Sequence, residues 1–275
     1  MKSYKLAILT VAAGFLWSLN ATAQTFNYNN GDLLLGLRTP SGTSDLIVDI
    51  GAASLYSAAT SPITVSGTYY TSQQLTDAGL TLNNLYFSVF GDIAPGYPGT
   101  ANTLWVTAPQ TVNTIQAAAW GAQSSQNQAL ARSQIESIAF GASYSSFGES
   151  ASADNTATAV VVPSSLNLAG EGALSYTVGI GASGNFNGNF GSNNNIEQNT
   201  PGTFTSGTSD NSGVVREDLY QMTPGSSGSY LGYFQLSNSG TLTFNPSPVP
   251  EPTTWAMFGM GVMGLAGWRR ITRKN

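Results

Sequence analysis

The chain contains no cysteine and no histidine in 275 residues. Without thiols there is no disulfide framework and no thiolate nucleophile. Without imidazole the usual general base near neutral pH is missing. Ser-His-Asp and Cys-His catalysis are therefore excluded within this chain, as are zinc sites built on His or Cys. Cationic charge is also scarce. Of nine Lys and Arg residues, Lys2 and Lys5 sit at the start and Arg269, Arg270, Arg273 and Lys274 at the end. Segment 24–248 keeps Arg38, Arg132 and Arg216 against 13 carboxylates, a net charge of −10. A nucleic-acid partner is not expected, because phosphate binding needs clustered Lys and Arg to release counterions. Docking on an anionic lipid surface is disfavoured for the same reason.

What is present at the two ends reads as sorting information. Lys2 and Lys5 form a basic start, and Leu6 to Leu19 is an almost unbroken apolar run. Ala21-Thr22-Ala23 then supplies the small-x-small pattern cut by signal peptidase, so the mature chain is expected to begin at Gln24. The run has 14 residues, short of the roughly 20 that a membrane span needs. A cleaved signal peptide over 1–23, exported through the Sec translocon, is the expectation.

At the other end, Val249-Pro250-Glu251-Pro252 precedes an apolar stretch from Trp255 to Trp268, followed by Arg269, Arg270, Arg273 and Lys274. The positive tail is expected to stay on the cytoplasmic side while the body faces outward. As a helix, Thr253 to Trp268 would rise only about 24 Å, against a hydrocarbon core of about 30 Å. Gly259, Gly261, Gly264 and Gly267 soften it further. Such a C-terminal transmembrane helix suits a transient stop better than a permanent anchor. Pro250 and Pro252 hold their motif extended and out of helix, Glu251 offers a charge for recognition, and Arg269 and Arg270 halt translocation.

These three elements in this order resemble the PEP-CTERM sorting domain of Gram-negative, exopolysaccharide-producing bacteria, with Ile271 and Thr272 interrupting the basic cluster. The resemblance covers 249–275 and implies recognition by an exosortase-type membrane protease that cuts near the motif. It implies passage across the inner membrane, a transient membrane-inserted stage, and then a place at the cell surface or outside the cell. A GPI signal fits less well, because such a tail ends in apolar residues and this one ends in charge.

The body, 24–248, reads as one all-β domain, mainly antiparallel and sandwich- or jelly-roll-like, with a short helical insertion. Asp32 to Arg38, Asp45 to Ile50, Asn84 to Phe90 and Thr103 to Thr107 are expected strands. In the second, the period of two places Leu46, Val48 and Ile50 on one face and Asp45, Ile47 and Asp49 on the other. Tyr230 to Leu236 and Thr241 to Phe244, with Ser237 to Gly240 between them, form an expected closing hairpin. Ala and Gln enrich Thr111 to Trp120 and Gln126 to Phe140, which predicts two helical pieces ended by Gly121 and Gly141. Gly179 to Ser212, rich in Gly, Asn and Ser, is expected to be a long loop or poorly packed strands.

No catalytic, cofactor or metal site is expected from the remaining motifs. Gly259, Gly261 and Gly264 match a dinucleotide fingerprint but lie in the apolar tail, without the preceding strand that a phosphate cradle needs. Asp49-Ile50-Gly51 has the outline of an aspartic-protease strand. Ile50 stands where a hydroxyl residue would orient the carboxylate, and no second Asp-Thr/Ser-Gly occurs. Glu217-Asp218 with Asp210 nearby is the best acidic cluster. Adjacent strand residues point apart; calcium is a lesser alternative because the spacing is not that of an EF-hand, and Arg216 beside the acids suggests a surface ion pair among solvated charges. The expected function is a non-catalytic surface or matrix protein associated with exopolysaccharide or biofilm. The alternatives are an extracellular carbohydrate-active enzyme with a carboxylate pair, or a lectin-like module stacking Tyr69, Tyr70, Tyr97 or Trp105 on sugar rings.

Overall fold

A computed structural model describes residues 25–110, 120–146, 154–169, 172–191, 194–204 and 213–247. The signal segment, all of the helical piece expected over Thr111 to Trp120 except Trp120 itself, and the whole C-terminal signal lie outside these residues. No helix among the described residues is long and apolar enough to cross a membrane.

In chain order the elements are β1 (Asp32–Arg38), β2 (Ser44–Ala52), α1 (Ala53–Ser57), β3 (Ile63–Thr64), α2 (Ser72–Asp77), β4 (Tyr86–Asp92), β5 (Leu104–Pro109) and α3 (Ser125–Ser145). There follow β6 (Ala159–Pro163), β7 (Asn167–Leu168), β8 (Gly172–Ala173), α4 (Tyr176–Ile180), β9 (Gln198–Asn199), β10 (Val214–Met222), β11 (Ser229–Ser237) and β12 (Leu242–Pro246). Ten strands form one antiparallel sheet in the order β3-β12-β11-β10-β5-β4-β1-β2-β6, with β9 paired to the end of β4. The four early strands and the closing hairpin fall where the alternation placed them, within one or two residues. In the hairpin, Leu236 faces Leu242, and Gly240 takes the positive φ of 84° that lets the chain reverse.

The fold is mostly antiparallel β, as expected, but the ten-stranded sheet curls into a half-barrel beside a small β7–β8 pair and does not form a two-sheet sandwich. One side chain reports the curl. Tyr56 of α1 donates its hydroxyl to the Ile50 carbonyl of β2 at 2.8 Å, while its ring packs on Phe234 and Phe244 of β11 and β12 at 5.7 and 5.1 Å. Strands near opposite ends of the sheet thus meet on one residue. Each such aromatic pair adds about 0.5–1.5 kcal/mol beyond the area it buries.

Both faces of the sheet are buried along β1, β2 and β4, whereas in β11 and β12 buried residues alternate with half-buried ones. Leu46, Val48 and Ile50 join Leu33, Leu35, Phe87 and Tyr56 in the core on the α1 side. Ile47 joins Leu34, Phe90, Val160 and the apolar stripe Ala131, Ile135, Ile138 and Ala142 of α3 on the other. The α3 helix and the loops around α4 occupy the face that a second sheet would have covered. Within α3, Ile135, Ile138 and Ala139 are buried as the spacing suggested, whereas Leu130 is exposed.

Gly141 does not end the helix. Leu174 packs against it so closely that a Cβ there would lie 2.0 Å from the Leu174 carbonyl oxygen, and α3 continues to Ser145. The Gly- and Asn-rich stretch after Gly179 is also better packed than its composition suggested, since Phe186, Phe190, Ile196 and Phe204 are fully buried. At the end of the sheet, Gly232 pairs with Pro246 and the Ser247 N–H donates to the Leu231 carbonyl at 2.9 Å.

Candidate functional site

The densest polar cluster is internal. Arg38, at the end of β1, donates through Nε and Nη2 to Glu197 at 2.7 and 2.5 Å. Tyr176 of α4 donates its hydroxyl to the same carboxylate at 2.8 Å and lies 2.6 Å from Ser88 Oγ. The Tyr176 ring can lie flat on β1 because Gly36 has no side chain; a Cβ there would come within 2.6 Å of it. Phe90 stacks on the same ring at 5.6 Å. The next helical residue, Thr177, gives both its N–H and its hydroxyl to Asp45 at 2.7 Å. Burial still outweighs those two bonds and pushes the Asp45 carboxyl up to about 6.

Glu217 and Asp218 correct the sequence reading. They are fully buried rather than solvated, because β10 lies inside the sheet between β5 and β11. Glu217 accepts from the Gln198 N–H at 2.5 Å, and Asp218 accepts from Gln110 Nε2 at 2.6 Å. They point apart, as the strand period requires, and burial raises the Glu217 pKa well above the usual carboxylate range. Arg216 pairs with neither in the expected surface salt bridge. It donates to Gln235 Oε1 at 2.9 Å and lies over the Tyr233 ring at 5.2 Å. Asp210 lies outside the described residues. Among the described residues no group of three or more acidic side chains is arranged to hold a metal. Asp49 serves its own turn, accepting from the Gly51 N–H at 2.8 Å.

The surface offers a different kind of site. A cleft of about 290 Å³ opens between the segment preceding β1, the β4–β5 loop and α3. Glu136, Ala139, Phe140 and Ser143 line it from one helical face, at spacings of three and four residues. Asn27, Tyr28 and Asn30 form the facing wall, with Tyr97 at the rim. Tyr28 is held in place by Asp92, which accepts its hydroxyl at 2.8 Å. Of the four aromatics named from sequence as sugar platforms, Tyr97 alone is well exposed, at 57 %. Tyr70 and Trp105 are buried in the core and Tyr69 is half-buried.

Comparison with known families decides the question of the tail. A family model described as the PEP-CTERM protein-sorting motif matches residues 248–271. This chain carries the PEP-CTERM sorting motif. No curated protein and no solved structure matches the chain. The PEP-CTERM match takes in Val249, Pro250, Glu251, Pro252, Arg269 and Arg270, and it ends at Ile271, before Arg273 and Lys274. A PEP-CTERM motif implies an exported protein, transiently anchored in the membrane and processed by an exosortase-type membrane protein.

All the sorting residues of this PEP-CTERM protein, together with Ala21, Ala23 and Gln24 at the expected signal cut, lie outside the described residues. The fold brings together what the sequence kept apart: Arg38, Tyr176 and Glu197 inside, and Tyr28, Tyr97 and Phe140 around the cleft. Sequence reasoning missed both groupings. The one signal for the first was an isolated arginine ending an apolar strand, which demands a buried partner.

Proposed function

We propose that this is a non-catalytic surface or matrix protein of a Gram-negative bacterium, associated with exopolysaccharide or biofilm. In this reading the Sec translocon exports it and signal peptidase cuts after Ala23. An exosortase-type protease then acts at Val249–Pro252 while the apolar stretch and Arg269, Arg270, Arg273 and Lys274 hold the chain in the inner membrane. The match over 248–271 carries the reading. Composition supports it, since a body without Cys or His and with few charges relies on neutral amides and hydroxyls for solubility, the same groups that meet polysaccharide hydroxyls.

The absence of catalysis is supported by where the acids lie. Glu197, Glu217 and Asp218 are at most 3 % exposed; Glu197 is held by Arg38 and Tyr176, one Glu217 oxygen by the Gln198 N–H and one Asp218 oxygen by Gln110. A glycosidase needs two carboxyl groups facing a sugar across about 5–9.5 Å in an open cleft.

Intact-mass measurement of the protein recovered from its native host tests the route. The expected species begins at Gln24 and ends near the Pro-Glu-Pro motif. Recovery with Arg269 to Asn275 still attached would overturn processing at that motif.

A further inference from the structure

The cleft between α3 and the start of the body is a built site, and nothing in the sorting signal accounts for it. Its walls are fixed to one another by buried or half-buried bonds. Phe26 is buried in the α3-side core and its N–H donates to Ser146 Oγ at 3.1 Å, tying the segment before β1 to the end of the helix. Asn30 Oδ1 accepts from the Ala94 N–H at 2.9 Å, tying the same segment to the loop that carries Tyr97. Tyr28 is anchored by Asp92. A preorganised cleft of this kind avoids the ordering cost that a ligand would otherwise meet.

The chemistry of the lining selects the ligand. Asn27 and Ser143 offer neutral donors and acceptors, and Asn30, with its oxygen taken, offers its amide nitrogen. Tyr97 and Phe140, 57 % and 48 % exposed, both line the cleft and bring aromatic surface to it. Tyr144, one helical turn beyond Phe140, is 50 % exposed and extends that stripe. The charged group in the lining is Glu136, and the guanidinium of Arg132 is already held by it at 2.8 Å. An anionic ligand would meet the Glu136 carboxylate, and the cation beside it, Arg132, is already paired with that carboxylate. A purely apolar ligand would strand the amides and the hydroxyl without partners. A pyranose ring satisfies both constraints, because its edge carries hydroxyl donors and acceptors while its axial C–H face is apolar and lies flat on an aromatic ring. The volume is near the lower bound of about 300 Å³ for small-ligand sites, which suits a short segment of a longer chain.

We infer that this cleft binds a neutral polysaccharide, with Tyr97 and Phe140 as stacking platforms and Asn27, Asn30, Glu136 and Ser143 reading the hydroxyls. The inference rests on the surface-protein reading above and gives it a site. Affinity electrophoresis of the full chain in mild detergent tests it, with hydroxyethyl cellulose, galactomannan or the polyuronate alginate cast in the gel. The wild type is expected to be retarded by one of the two neutral polymers and not by alginate. Tyr97→Ala and Phe140→Ala should each weaken that retardation by about threefold to tenfold. Leu55→Ala, at an exposed apolar position on the α1 side of the sheet, should leave it unchanged. Because Tyr97 and Phe140 are half exposed, melting temperatures of the two variants should match the wild type.

Retardation that survives both aromatic substitutions would overturn the cleft and leave polysaccharide association through another surface. Preference for alginate would overturn the neutral-ligand assignment. Failure of all three polymers would overturn both the cleft and the polysaccharide association, while the sorting route would still stand or fall on the intact mass.

Discussion

Arg38 and Glu197, separated by 159 residues in sequence, meet in a two-point ion pair that is 10 % and 2 % exposed. Tyr86 lies under the guanidinium at 5.3 Å and Tyr176 shares the carboxylate at 2.8 Å. Removing one partner strands a buried charge. Glu197→Ala is expected to cost about 3–5 kcal/mol, whereas the double change Arg38→Met with Glu197→Leu should cost markedly less. Urea midpoints of the three proteins would show it, and equal losses in the single and double variants would refute the argument.

Stability should fall as pH rises across the mildly acidic range. Burial holds the Asp45, Asp49 and Asp92 carboxyls up at about 6 in the folded chain, and it raises Glu217 as well. In the unfolded chain an Asp titrates near 3.9. The folded state therefore binds more protons between those values, and the stability present below about pH 4 is lost as pH passes through about 6. Thermal melts at pH 4.5 should lie above those at pH 7.5. Asp49→Asn, which keeps the acceptor for the Gly51 N–H, should reduce the difference.

Gly141→Ala should destabilise the protein even though alanine favours helix by about 1 kcal/mol. The new Cβ would sit 2.0 Å from the Leu174 carbonyl oxygen, and a backbone atom cannot rotate away. A net loss of about 2 kcal/mol is expected, or roughly 4–8 °C in melting temperature for a domain of this size. An unchanged or raised melting temperature would contradict the close packing of α3 on the segment before α4.

Glu251→Ala should leave the C-terminal tail attached while the N-terminal cut proceeds normally. Mass spectrometry of membrane fractions from the native host reads both ends at once. A product identical to the wild type would show that the motif's charge is not what the protease recognises.

Local pattern carried the strands and stopped at their environment. Asp45 to Ile50 alternates cleanly, and its two apolar sets do fall in two different cores. That both faces are covered, one by the curl and the other by α3, is a tertiary fact with no local signature. Glu217 and Asp218 were misread because acidic residues are mostly exposed. The better signal was their setting, Val214-Val215 before and Leu219-Tyr220 after, which marks a strand buried on both sides. Gly141 looked like a helix stop by composition, yet it is a packing residue. In the stretch after Gly179, sparse aromatics outweigh abundant Asn and Gly, since Phe186, Phe190 and Phe204 anchor it. The cleft was half legible: Tyr97 was singled out as a surface aromatic, while Phe140 became its counterpart only through the docking of α3.

The last backbone bond of the sheet, from Ser247 to Leu231, leaves almost no slack before the cleavage motif. Pro250 follows three residues later, and three residues reach at most about 10 Å even when fully stretched. Any protease cutting there must either present its catalytic groups at the outer rim of the bilayer, with the half-barrel pressed against it, or act on a chain whose final strand has peeled from β11. Peeling would carry Phe244 away from Tyr56 and open the curl. On that second route, release from the membrane and the curl of the half-barrel would be coupled events.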